Sequence, residues 1–246
     1  LVCIRDIQEL KVITVKENGD IWIGAGTTFS HITGDPVIQE RIPVLGEAVD
    51  QVGGPQVRNI GTIGGNICNG AVSADSVPTV FSYNSRLRIV NEDKERIVPV
   101  REFYLGPGKV KLERGDILTH VIIPAEEYQG YQGHYIKYSM RNAMDIATIS
   151  CSVVSKADLA AGVLEDVRIT FGVAAPVPYR CVKTEEALKG AKIDENFYEK
   201  AAQLVREEIN PRDSWRASKV FRLQIGGEIA SRALRRTIEL AGGDRA

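Results

Sequence analysis

The stretch from Gly53 to Asp75, GGPQVRNIGTIGGNICNGAVSAD, limits this chain more than any other, with glycine at 53, 54, 61, 64, 65 and 70. Glycines this dense weaken both a helix interior and a packed strand. They suit a backbone that must come close to a ligand. Thr62-Ile63-Gly64-Gly65-Asn66 is the sharpest part. Gly64 and Gly65 can take turns closed to other residues and present successive N–H groups, a nest that suits phosphate oxygens. Thr62 and Asn66 add short hydrogen-bonding side chains. Asp75 can accept a bond from a sugar hydroxyl or fix the loop. A glycine-rich structural turn is the plainer reading. The grouping of glycines, an amide, a hydroxyl and an acid favours a ligand loop.

Composition narrows the partners. With 43% hydrophobic residues among 246, a sizeable core is available. The net charge of −1 comes from interleaved acids and bases, without the basic stripe of a nucleic-acid protein. Apolar runs are too short to span a bilayer. No charged-then-apolar leader opens the chain, so no secretory signal is expected. Cys3, Cys68, Cys151 and Cys181 are scattered, which argues against a zinc knuckle or a locally ligated iron–sulfur cluster and points to free thiols in a cytoplasmic protein. The chain opens on Leu1 without a Met and is expected to be part of a longer one.

Leu1 to Ile13 reads as an extended piece and a turn of helix. Val12–Val15 and Asp20–Gly24 read as a hairpin turning at Glu17-Asn18-Gly19. Thr28 is a cap for a helix through His31 and Ile32. Pro36 opens another through Ile42, and Val44–Val52 carries a helical stripe into the glycine-rich stretch. Val77–Tyr83 is helical. Strands are expected at Arg86–Val90, Arg96–Val100 and Asp116–Pro124, with a loop at Gly106-Pro107-Gly108. Ala125–Gly133 is polar and marks a boundary, giving domains at 1–128 and 129–246. Strands at His134–Met140, Ile146–Ser155 and Val163–Val173 follow. Three helices come last. Thr184 caps one ending at Gly190, and Asp194 caps Glu195–Ile209. Ser218–Ala241 turns Phe221, Ile225, Ile229, Ala233 and Ile238 inward and Arg222, Arg232, Arg235 and Arg236 outward. The fold class is α+β.

The stretches GGPQVRNIGTIGGNICNGAVSADS, GPGKVKLERGDIL, KYSMRNAMDIATIS, FGVAAPVPYRC and WRASKVFRL together resemble the FAD-binding subunit of molybdenum hydroxylases, most nearly the xanthine dehydrogenase type. The likeness covers nearly all of the chain. It implies a vanillyl-alcohol-oxidase-type FAD-binding domain followed by a small α+β domain with a three-stranded antiparallel sheet and helices, FAD lying extended between them. The family's opening Ala-Gly-Gly-Thr-Asp-type pyrophosphate loop has no counterpart here and would precede Leu1.

Residue by residue, the resemblance implies that Thr62, Ile63, Gly64, Gly65 and Asn66 form the second flavin-contacting loop, that Asp75 is the acid beyond it, that Leu118 is an apolar cofactor contact, and that Lys137 stands near the isoalloxazine. Val52 falls where relatives carry a larger flavin-contacting side chain. Asp145 ends the loop by the nicotinamide face, and Cys68 is a packing residue. Taken without the resemblance, Lys137 is an ordinary solvated strand lysine.

The implied partners are an iron–sulfur subunit with [2Fe–2S] clusters and a molybdopterin subunit that hydroxylates a purine. Electrons would pass through FAD to NAD⁺, in a dimer of heterotrimers without nucleic acid or membrane. Lys137 would favour the reduced, anionic cofactor. Three rival readings stay open: the medium FAD subunit of a CO, aldehyde or nicotinate dehydrogenase, a stand-alone flavin reductase without an evident proton donor, and a flavin-free scaffold.

Overall fold

The structure is a computed structural model describing residues 3–242; Leu1 and Val2, where the first expected stretch begins, and residues 243–246 lie outside the described residues. Gly19 sits at φ 87°, a left-handed backbone that favours glycine, and turns β1 (Ile13–Val15) onto β2 (Ile21–Gly24). A 3-10 turn at Gln8–Leu10 precedes this hairpin. α1 (Phe29–Gly34) starts at its expected cap, with the Thr28 hydroxyl oxygen accepting the His31 N–H. α2 (Pro36–Arg41) is capped by Asp35 and opens on Pro36, where no N–H is missed. α3 (Pro43–Asp50) buries Val44, Leu45, Ala48 and Val49, the face its apolar spacing marks. α4 (Pro55–Ile60), α5 (Ile63–Cys68) and α6 (Ser76–Ser82) follow.

β3 (Arg86–Val90) and β4 (Glu95–Pro99) come next, then a small hairpin of β5 (Tyr104–Gly106) and β6 (Lys109–Val110), then β7 (Ile117–Ile123). The first sheet runs in the order β1-β2-β7-β3-β4, each neighbouring pair antiparallel. β7 therefore enters the centre last, where Val121 pairs with both Ile23 and Leu87. Ile21, Ile23, Leu87, Ile89, Val121 and Ile123 are fully buried and form one core with the helices.

The second sheet holds β8 (Gln132–Tyr138), β9 (Ile149–Asp158), β10 (Val163–Gly172) and β11 (Tyr179–Arg180) in the order β11-β10-β9-β8. The three expected strands are present, and the two-residue β11 extends the sheet at one edge. α7 (Val182–Leu188), α8 (Phe197–Glu208) and α9 (Lys219–Leu240) complete the chain. Ile149, Cys151, Val153, Ile169 and Phe171 pack into a second core with these helices. The alternate positions Ser150, Ser152, Arg168 and Thr170 face the other way and are also buried. Both faces of this sheet are therefore covered, with α3 and α6 against one and α7 and α9 against the other.

Polar contacts tie the halves. The Ser82 hydroxyl lies 3.2 Å from the Ser152 carbonyl and 2.9 Å from Thr170 Oγ1. Arg168 donates to the Glu127 carbonyl at 2.9 Å and pairs with the Glu127 carboxylate at 2.8 Å. The expected boundary stretch is not slack: Tyr128 is buried and donates its hydroxyl to the Gly19 carbonyl at 2.7 Å.

Three helix details differ from expectation. Thr184 lies inside α7 and does not cap it. Its N–H and hydroxyl, with the Lys183 N–H, donate to the Glu208 carboxylate at the end of α8. α8 is preceded by Asn196; the Asp194 carboxylate accepts the Asn196 N–H, and the Asp194 carbonyl accepts that of Phe197. On α9, Ile229, Ala233 and Ile238 are buried as expected and Ile225 packs against the core, but the first turn differs. Phe221 is exposed, while Arg222 is fully buried and donates to the Thr148 carbonyl, the Arg212 carbonyl and the Ser214 hydroxyl. Three carbonyl and hydroxyl acceptors make this inward arginine tolerable. Arg232 alone of the four points fully outward, paired with Glu228; Arg235 lies over the Tyr198 ring and Arg236 pairs with Glu239. No helix among the described residues is long and apolar enough to cross a membrane.

Candidate functional site

The glycine-rich stretch forms two short helices, not an open nest. Gly64 and Gly65 have right-handed backbone inside α5; positive φ falls on Gly53 and Gly70 at its edges. The N–H groups at the start of α5 already have partners. Ile63 donates to the Thr27 carbonyl at 3.1 Å, Gly64 to the Ala25 carbonyl at 2.9 Å, Gly65 to Thr62 Oγ1 at 3.1 Å and Asn66 to the Thr62 carbonyl at 3.0 Å. The expectation of free, successive N–H donors is therefore corrected. The segment after β2, which docks on α5 through a Thr28–Thr62 bridge, takes the Ile63 and Gly64 donors, and Thr62 takes those of Gly65 and Asn66.

The two central glycines serve different ends. A Cβ on Gly64 would stand 2.5 Å from Ala25 Cβ and 2.7 Å from its carbonyl oxygen, so only glycine permits this approach. Gly65 is exposed, and a Cβ there would find only Thr62 Oγ1 close by, at 3.1 Å.

Thr62, Gly64, Gly65 and Leu118 share one wall system, a cavity of about 750 Å³ that also takes in Thr28, Leu10 and Cys68. Thr28 and Thr62 each accept a helix N–H on the hydroxyl oxygen, which leaves both O–H groups able to donate elsewhere. Arg5, Lys11 and His31 stand in the same lining. Burial pushes the Cys68 thiol up to about 11, so it stays protonated and acts as an apolar wall. Asp116 fixes the turn before Leu118. It accepts from both Arg96 terminal nitrogens, from Asn91 and from the Glu113 N–H. The Arg96 guanidinium above all holds its carboxyl well below the usual carboxylate range.

Lys137 is not a solvated edge residue, although β8 is an edge strand. Its side chain is 5% exposed, and Nζ donates to Asp75 Oδ2 and to the Gln51 carbonyl, each at 2.9 Å. Asp75 receives a second donor, the Tyr135 hydroxyl at 2.8 Å, on Oδ1. Burial raises the Asp75 carboxyl above its ordinary value against the pull of Lys137 and Tyr135. Lys137 lines a second, polar cavity of about 490 Å³ with Gln51, Arg58, Arg141 and Asp145. Asp145 accepts the Arg141 and Ile146 N–H groups and so pins its own loop.

The structure thus brings Thr62, Gly64, Gly65 and Leu118 together, and sets Lys137 and Asp145 on the neighbouring cavity. Asp75 and Asn66 are in the lining of neither cavity. Asn66 accepts the hydroxyl of Ser76, the residue after Asp75. The Ile63 side chain is buried in the core, and Val52 packs against that core. Tyr135 and Arg58 carry no sequence signal of their own for a site role, and Thr28 reads from sequence only as a helix cap. Tyr135 was within reach, since a strand's period of two puts it on the same face as Lys137.

Residues 1–126 match the family model described as FAD binding domain in molybdopterin dehydrogenase, and residues 134–237 match the CO dehydrogenase flavoprotein C-terminal domain. The chain is 39% identical over 243 residues to the xanthine dehydrogenase FAD-binding subunit of Escherichia coli O157:H7, covering 99% of this chain and 82% of that protein. It is 30% identical over 212 residues to the nicotinate dehydrogenase FAD-subunit of Eubacterium barkeri, covering 85% and 71%. Among solved structures it superposes on a chain of the carbon monoxide dehydrogenase of Hydrogenophaga pseudoflava with a TM-score of 0.88 at 28% identity, covering 94% of this chain and 79% of that one.

Proposed function

The chain belongs to the FAD-binding subunits of the molybdenum hydroxylases, and from that premise we propose that it carries electrons from the [2Fe–2S] clusters of a partner subunit through FAD to NAD⁺ while a molybdopterin subunit hydroxylates a purine. The 39% identity to a xanthine dehydrogenase FAD-binding subunit supports the purine reading. A cytoplasmic dimer of heterotrimers is the assembly that goes with it.

The residues present fit FAD. A cavity of about 750 Å³ lies in the range of cofactor sites. It offers the free O–H groups of Thr28 and Thr62 to phosphate oxygens and an apolar wall at Leu118. At Gly65 the backbone is bare toward the cavity. FAD, when bound, supplies the one- and two-electron chemistry that protein side chains lack. The chain's own part is to bind, orient and exclude water. Gly65 admits close approach, and Thr62 and Thr28 donate. Leu118, held by the Asp116 turn, closes one side. Lys137 sets a positive charge in the wall of the second cavity. That charge is already paired with Asp75, so it acts as one end of a buried dipole and not as a free cation. The second cavity, with Arg58, Arg141 and Lys137, is where we place the NAD⁺ phosphates.

The observation that carries the reading is the shared wall of Thr62, Gly65 and Leu118 on one cavity. The test is an absorbance spectrum of the full-length protein, then anaerobic addition of NADH. Flavin bands that bleach on NADH support both steps. A colourless protein returns it to a scaffold, and bands indifferent to NADH remove the acceptor. A second reading, the medium subunit of a nicotinate, aldehyde or CO dehydrogenase, draws on the 30% identity to the nicotinate dehydrogenase FAD-subunit. Assay of the assembled enzyme on xanthine, nicotinate, an aldehyde and CO separates the two.

A further inference from the structure

Tyr135 and Lys137 lie two residues apart on β8 and reach the same carboxylate from the same strand face. Between them they occupy both oxygens of Asp75. All three side chains are nearly dry: Tyr135 is 2% exposed, and the Lys137 and Asp75 side chains are 5% and 7%. A carboxylate this buried stays ionised only while donors and a cation compensate its lost hydration. Lys137 has a further acceptor in the Gln51 carbonyl, which aims its ammonium toward the second cavity.

We propose that Tyr135 is a positioning residue: its hydroxyl holds Asp75 in the ionised form, and the ionised Asp75 in turn holds the Lys137 ammonium in place at the second cavity. The charged and titratable groups that bear on this cluster are Lys137 and Tyr135 on β8, Asp75 before α6 and the buried Cys151 thiol on β9. Burial keeps Cys151 well above its ordinary value, so it is neutral and competes for no proton here. Burial and the neighbouring carboxylate likewise keep the Tyr135 phenol protonated as a donor. The hydroxyl is therefore a fixed donor across the working pH range, and Asp75 is the member that titrates.

The consequence for the cofactor rests on the proposed flavin reading; the arrangement of Asp75 does not. Tyr135→Phe keeps the ring and removes only the donor. The expected result, read on the cofactor-free full-length protein by NMR of selectively labelled aspartate carboxyls, is an upward shift of the Asp75 midpoint by about one pH unit, a tenfold change in proton affinity. In the Asp75→Asn background the same tyrosine change is expected to do nothing to the pH profile of stability. In the flavin-loaded protein, Tyr135→Phe is expected to move the pH at which the cofactor's potential changes slope in the same direction. An unshifted Asp75 midpoint, with only a general loss of stability, overturns the proposal and leaves Tyr135 as packing. A shifted midpoint beside an unchanged cofactor potential keeps the positioning role and counts against the flavin reading at Lys137.

Discussion

Gly64 donates its N–H to the Ala25 carbonyl at 2.9 Å, and the two backbones lie so close that a Cβ on Gly64 would meet Ala25 Cβ at 2.5 Å. Its neighbour Gly65 faces the cavity, and the one close atom a Cβ would meet is Thr62 Oγ1 at 3.1 Å, on a side chain that must give slightly. The pair separates folding from binding. Gly64→Val is expected to destabilise the protein by about 3 kcal/mol or more, because overpacking here falls on backbone that cannot yield. Gly65→Val is expected to leave the circular dichroism and the unfolding midpoint nearly unchanged while flavin is lost. Denaturation curves and the 450 nm band of the purified proteins check both; full flavin in Gly65→Val would take α5 out of the site.

Lys137→Met removes one half of a buried ion pair and keeps the apolar stem. Breaking such a pair costs about 3–5 kcal/mol when the remaining charge is left buried. Asp75 can limit that loss by taking a proton, since burial already raises its carboxyl. In the loaded protein the cofactor's potential is expected to fall by some tens of millivolts, about 30 mV corresponding to roughly 1.4 kcal/mol for a two-electron couple. A redox titration decides; equal potentials would place the lysine away from the cofactor.

Asp116 makes acid sensitivity predictable. Its folded carboxyl lies below the unfolded value because Arg96 and the Glu113 N–H stabilise the charge. A lowered carboxyl contributes stability that is fully present above the unfolded value, near pH 4, and is lost as pH falls further. Asp116→Asn is expected to lower stability at pH 7 and to flatten the decline between about pH 4 and 2. Urea midpoints across that range test it, and an unaltered slope would mean another carboxylate governs acid unfolding.

Glu208 caps α7 from the far end of α8, accepting two N–H groups and the Thr184 hydroxyl. Glu208→Ala is expected to cost about 1–3 kcal/mol, the cost of leaving donors near a buried helix start without partners. Flavin content should not change, since neither cavity includes these residues. Loss of flavin in this variant would tie the second core to the site more tightly than the contacts suggest.

Periodicity made most of the elements legible. The 3.6-residue stripe of α3, the Gly19 hairpin and the Thr28 cap stand where the residues place them. What escaped was partnership across distance. Ile149-Ser150-Cys151-Ser152-Val153 alternates like a strand with one wet face, yet Ser150 and Ser152 are as buried as Ile149, because the other half of the chain covers them. Thr184 looked like a cap because Ser and Thr usually serve so; Glu208 sits too far along the chain for a local rule to find it. Gly64 and Gly65 suggested a nest because glycine density marks close approach. The approach is real, but the partner of Gly64 is Ala25. Lys137 reads as an edge lysine until Asp75, sixty-two positions earlier, is seen to meet it.

The seam between the halves carries apolar contacts from Tyr135 and Val154 and a polar set of Ser82, Ser152, Thr170, Arg168 and Glu127. Oily surfaces can slide past one another and still be content; hydrogen-bonded ones fit in a single register. Thr62, Gly65 and Asp75 belong to one side of that seam, and Lys137 and Tyr135 to the other. The first cavity is lined from one side alone, whereas the second draws Gln51 and Arg58 from one side and Lys137, Arg141 and Asp145 from the other. Assembly therefore has an order: until β8 has docked beside α3, Asp75 lacks both of its donors and the second cavity lacks one of its walls.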